Sequence, residues 1–163
     1  MPTELITRCS KILKEKGLSI AFAESATAGR LASEFSLTED SGSVLKGGLV
    51  CYDAQVKVDV LGMDPGFINE FTPESEEVTR ELALRLRNLI KSDIQVAVTG
   101  LISPGGSETP KKPVGTIFIH VLIGKESIAV REVLEGSPEQ IVLLAADLAC
   151  KTIMNELSQQ ASE

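Results

Sequence analysis

The chain has 163 residues, enough for one domain with a sizeable core, and 43% of them are hydrophobic, which argues against disorder. Its net charge of −7, with no basic run, disfavours a nucleic-acid backbone as partner. With no Trp and a single tyrosine, Tyr52, it also lacks a platform for stacking single strands.

Thr3 to Lys16 reads as a helix, because Leu5, Ile6, Cys9, Ile12 and Leu13 recur at helical spacing and Gly17 stops the pattern. Leu18 to Ala23 is a short apolar strand. The polar junction Glu24-Ser25-Ala26-Thr27 leads into a second helix, Thr27 to Leu37. Gly47 to Tyr52 is the next strand, followed by a helical piece from Ala54 to Leu61. Gly62 to Phe71 reads as irregular, punctuated by Asp64-Pro65-Gly66.

Thr72-Pro73 is expected to cap a long helix with Pro at its first position and Glu74, Glu76 and Glu77 in its first turns. Val78, Leu82, Leu86, Leu89 and Ile90 give that helix an apolar face. Ile94 to Thr99 is a third strand, and the Pro- and Gly-rich run from Gly100 to Val114 is an ordered loop. Thr116 to Ile123 and Ser127 to Leu134 form a hairpin through Gly124-Lys125-Glu126. Ser137-Pro138-Glu139-Gln140 fits a capping box opening a final helix to about Leu157, with a fraying polar tail over 158–163.

Alternating helices and strands in the first half predict parallel pairing, with the hairpin adding an antiparallel member. No repeat or linker interrupts the chain, so residues 1–163 are expected to form one three-layer domain. The N-terminus runs straight into an amphipathic pattern, and no segment is long enough to span a bilayer. The expected location is the cytoplasm. Cys9, Cys51 and Cys150 are odd in number, widely spaced and set in apolar patterns, as buried reduced thiols would be. One histidine, His120, and no CxxC leave little material for a metal site.

Ligands of open α/β sheets bind beyond the carboxyl ends of the strands. Three such ends are polar here: Glu24-Ser25, Tyr52-Asp53 with Lys57 a turn later, and Thr99-Gly100. Ser25 has two possible roles, as a helix cap or as a nucleophile that would need a base. Lys57 is either that base, if burial lowers its pKa, or a solvated helix residue. Tyr52 either relays a proton or is a half-buried strand residue. The Gly105-Gly106 loop permits close backbone approach but matches neither a Walker A nor a Rossmann fingerprint. His120, within an apolar strand, reads as structural.

These segments together resemble the C-terminal domain of the CinA family, which also occurs alone as the nicotinamide-nucleotide amidohydrolase PncC. The resemblance runs from about Ile6 to Leu157. It is carried by Ala23-Glu24-Ser25-Ala26-Thr27-Ala28-Gly29, by Gly48-Leu49-Val50-Cys51-Tyr52 with Lys57, by Val98-Thr99-Gly100 leading to Pro104-Gly105-Gly106, and by Lys112-Pro113-Val114-Gly115-Thr116. It implies a three-layer α/β/α sandwich with a mostly parallel mixed sheet, homo-oligomers, no cofactor and no metal. The implied reaction is deamidation of nicotinamide mononucleotide to nicotinic acid mononucleotide and ammonia.

By the resemblance, Ser25, Tyr52 and Lys57 are the catalytic trio. Thr27, Ser41, Ser43, Thr99, Gly100, Gly105 and Gly106 are the candidate substrate-binding positions, and the partner is a small-molecule nucleotide rather than nucleic acid or a membrane. The chain departs from the family pattern at Ala26 and Ala28, where cysteine and glycine are usual, and at Asp53-Ala54, where Ser-Asn is usual. It departs also at Gly42, where a serine is usual and which Ser41 and Ser43 flank. Those departures make a non-catalytic nucleotide-binding module the alternative function. The separate N-terminal domain of many CinA proteins is not expected here.

Overall fold

A computed structural model describes residues 1–163. Five strands form one sheet in the order β2-β1-β3-β4-β5, comprising β1 (Ile20–Glu24), β2 (Leu45–Val50), β3 (Ile94–Gly100), β4 (Thr116–Ile123) and β5 (Glu126–Val133). β1 pairs parallel with β2 and β3, while β4 runs antiparallel to both β3 and β5. The sheet is therefore mixed, with β4 alone reversed.

Side-chain alternation divides the core between two faces. Ile20 and Phe22 of β1, Val96 and Val98 of β3, and Ile117, Ile119 and Val121 of β4 pack on one face. They meet α1 (Glu4–Lys16), α2 (Arg30–Ser36) and α7 (Pro138–Ala161) there. Ala21, Ala23, Ala97 and Leu122 face the other way, against α5 (Pro65–Phe71) and α6 (Glu76–Leu89). Two short helices complete the set: α3 (Ser41–Val44), before β2, and α4 (Ala54–Asp59), after it. The domain is the expected α/β/α sandwich. No helix is long and apolar enough to cross a membrane.

The helix ends follow their capping chemistry. Thr3 accepts from the Ile6 N–H at the start of α1, and Gly17 closes the helix at φ 66°. Ser137 and Gln140 form the expected capping box on α7. Four expectations need correction. Asp64 accepts from the Gly66 N–H and Pro65 occupies the first turn, so the segment read as irregular is α5.

Likewise α6 is capped by Ser75, whose Oγ accepts from the Val78 N–H, rather than by Thr72. Thr72 instead sits at φ 70° and ends α5. The tail does not fray at Ser158, because α7 continues to Ala161 with a Gln160–Glu156 hydrogen bond along its last turns. Finally, α2 begins at Arg30 rather than Thr27, for a reason that lies in the site itself.

Candidate active site

Ser25 leaves the end of β1 still tied to the sheet, its N–H donating to Val98 O at 2.9 Å. The chain then turns, with the Ala28 N–H donating to Ser25 O, and Ala28 and Gly29 take left-handed φ angles of 47° and 93°. Two left-handed residues cannot belong to a right-handed helix, which delays α2 to Arg30. Gly29, its N-cap, has no side chain to offer. The buried carboxylate of Glu24 fills that role, accepting from the Leu31 N–H at 2.8 Å and the Ala32 N–H at 3.0 Å. The residue preceding the candidate nucleophile thus fixes the turn on which it stands.

Asp53 caps α4 by accepting from the Gln55 N–H at 2.7 Å. One turn later Lys57 points back under the sheet end and is fully buried. Its Nζ donates to Cys51 O at 2.6 Å and to Ser25 Oγ at 3.1 Å. It makes no ion pair. Burial lowers its pKa from the ordinary lysine value; Cys51, Glu74 and Asp53 act in the opposite direction without cancelling the effect. An amine shifted towards neutrality carries a lone pair that can take the Ser25 proton.

Ser25 opens into a cavity of about 230 Å³, walled by Tyr52, Glu74 and the loop from Gly100 to Gly106. Tyr52 is 61% exposed at its rim, and its phenol is hydrogen-bonded to neither Ser25 nor Lys57. Lys57 reaches Ser25 directly, without a tyrosine between them. The Ser25 N–H is committed to the sheet, whereas the N–H of Ala26, in the cavity wall, donates to no protein atom.

Gly100, Gly105 and Gly106 line this cavity, and Gly100 must be glycine: a Cβ there would lie 2.6 Å from Thr116 O. Thr99 points away from it, buried, with its hydroxyl 2.8 Å from that of Thr79. Thr27 lines an adjoining open cleft with Gly29, Arg30, Ser33 and Glu139, and its buried Oγ1 has no partner in the chain. Ser41 and Ser43 stand on α3 at the amino end of β2, the opposite end of that strand from Tyr52, and outside both cavities. His120 bonds Ser127 Oγ through Nε2 at 2.7 Å, and burial lowers its pKa to about 4, as suits a structural residue.

The Lys112-to-Thr116 segment holds the stem of the cavity loop. The Gly115 N–H donates to Leu101 O, the Leu101 N–H to Thr116 O, and the Leu134 N–H to Gly115 O. Gly115 has φ 97°, and a Cβ there would meet Leu134 O at 2.1 Å. The sequence reading places Glu24 at a polar strand end and Glu74 in a helix turn, but assigns neither a role in the site. Glu24 acts seven residues ahead of itself, and Glu74 precedes a helix in whose first turn it was placed.

The model of the CinA C-terminal domain matches residues 2–157. The chain belongs to the CinA C-terminal domain family. It is 34% identical over 143 residues, 88% of its length, to a CinA-like protein of Sulfurihydrogenibium sp. (strain YO3AOP1). A putative competence-damage inducible protein of Bacillus cereus (strain AH187) is 40% identical over 134 residues, 80% of the chain. The chain spans 36% and 32% of these two relatives, about a third of the curated relatives' length.

Solved CinA structures share its fold. A competence damage-inducible protein A from Klebsiella pneumoniae superposes with a TM-score of 0.89 at 25% identity, over 95% of this chain and 96% of that one. A CinA superfamily protein from Escherichia coli gives 0.85 at 27% identity, over 92% and 87%. Against the CinA motifs, Ala28 now has a structural meaning. It puts a methyl group on a left-handed residue, a conformation that glycine adopts without that cost.

Proposed function

We propose that this CinA domain is an amidohydrolase that converts nicotinamide mononucleotide and water to nicotinic acid mononucleotide and ammonia. The observation that carries the reading is the buried hydrogen bond between Lys57 Nζ and Ser25 Oγ, beside a partly open cavity. Lys57, neutral, takes the proton of Ser25 as Oγ attacks the amide carbon. The Ala26 N–H supports the oxyanion. Collapse of the tetrahedral intermediate breaks the C–N bond, and the proton on Lys57 leaves with ammonia. Water, deprotonated by Lys57, then cleaves the acyl ester, and Ser25 recovers its proton.

The cavity is smaller than the roughly 300–1,000 Å³ of sites that enclose a drug-sized ligand. It suits the ring and its carboxamide, with ribose and phosphate lying outwards over the cleft of Thr27 and Arg30. Tyr52 at the rim covers the ring. The reaction calls for no cofactor or metal, and the expected setting is the cytoplasm. Exposed Val50 and Val60, on the β2–α4 side, supply apolar surface for self-association.

The unengaged Tyr52 phenol favours a second reading, a module that binds the nucleotide without turning it over. Chromatography of nucleotides after incubation separates the two. Hydrolysis requires conversion by the wild-type protein and a loss of at least about a thousandfold in Ser25→Ala and Lys57→Met. Nucleotide recovered unchanged from folded wild-type protein that retains it would establish the binding module instead.

A further inference from the structure

Eleven residues wall the cavity beside Ser25, and Glu74 is the one charged side chain among them. Its carboxylate forms no ion pair. It is held by a relay in which Ser107 Oγ donates to Glu74 Oε2 and Lys112 Nζ donates to Ser107 Oγ at 2.9 Å. Lys112 also donates to Thr72 Oγ1 at 2.7 Å and to the backbone oxygen of Glu74 at 2.9 Å. The serine hydroxyl stands between cation and carboxylate, so Glu74 is positioned without being neutralised at contact distance. Its charge is then available to whatever occupies the cavity.

A fixed negative charge in the wall of a small cavity attracts a cation and repels an anion. The nicotinamide ring carries a positive charge only when its nitrogen bears a substituent. We propose that Glu74 is a specificity-determining residue, selecting carboxamides on a positively charged N-substituted pyridinium ring over those on neutral rings. This rests on the amidohydrolase reading of Ser25 and deepens it by naming the substrate class. The same charge opposes the carboxylate formed on hydrolysis, and so favours product release.

The test compares two nucleotides that differ in ring charge. Nicotinamide mononucleotide has a cationic ring; its 1,4-dihydro form has a neutral ring on the same ribose phosphate. Dissociation constants are measured on the Ser25→Ala protein, which cannot turn either over, with and without Glu74→Gln. Glutamine keeps an oxygen for Ser107, and a thermal melt confirms the fold. Ser107→Ala, which retains the charge, is the second variant.

The expected result is that Glu74→Gln weakens the cationic nucleotide by roughly tenfold and the dihydro form by less than about twofold. Ser107→Ala should keep the preference for the cation. Equal weakening of both nucleotides, or no change in either, would overturn the role of Glu74. That outcome leaves conversion by the wild-type protein, and with it the hydrolase reading, standing.

Discussion

Lys57 is the residue on which the proposed chemistry depends, because a lysine serves as a base only when neutral. Its amine faces a carbonyl and a hydroxyl and no carboxylate at contact distance, so burial prevails over the weaker pull of Cys51, Glu74 and Asp53. The sign of a test follows. With Lys57 as the proposed base, activity is expected to fall as pH drops through its pKa, and removing a nearby negative charge lowers that pKa. Asp53→Asn should therefore move the acid limb of the kcat/KM profile to lower pH, with the plateau little changed, since the amide oxygen can still cap α4. A limb that stays in place would separate Asp53 from the base.

At Ala28 the left-handed backbone at φ 47° opposes the methyl group. Ala28→Gly should raise stability in chemical denaturation by roughly 0.5–1 kcal/mol, the relief of strain outweighing the added freedom of the unfolded chain.

Among the elements, those with strong local signals were legible in the sequence. The apolar strand runs, the Ser137 capping box and the Gly17 stop each depend on residues a few positions apart. Misreadings came where one residue pattern serves two structures. Asp64-Pro65-Gly66 opens a helix as readily as a turn, and Thr72-Pro73 resembles a cap that Ser75 provides. The start of α2 was hidden because its capping group, Glu24, belongs to the preceding strand. Of the site, Ser25 and Lys57 were legible as polar residues at strand ends. Their contact was not, since it needs the β1–β2 register. Glu24→Ala would leave two amide donors without an acceptor at the start of α2. It should destabilise the protein by about 2 kcal/mol and reduce activity through the Ser25 turn, read by denaturation and turnover together.

On the scale of the whole molecule, the sheet separates the candidate site from its support. The open carboxyl ends of β1, β2 and β3 carry the site, while the buried middle of the sheet holds groups that only stabilise. His120 is one of these, kept neutral by burial and by Arg80, its pKa lowered to about 4. The unfolded chain, with an ordinary histidine, binds a proton first as pH falls. The stabilising effect is thus complete above about pH 6.5 and is lost progressively towards pH 4, by at most about 3 kcal/mol. His120→Gln should flatten that part of the stability profile without changing the cavity.

The measurement that bears most directly on the whole is ammonia release from nicotinamide mononucleotide between about pH 6 and 10, by wild-type protein beside Ser25→Ala. Release that rises with pH to a plateau below the ordinary lysine range, and that vanishes in Ser25→Ala, is the expected result. No release by folded wild-type protein, or release that survives in Ser25→Ala, would contradict a serine activated by a buried lysine.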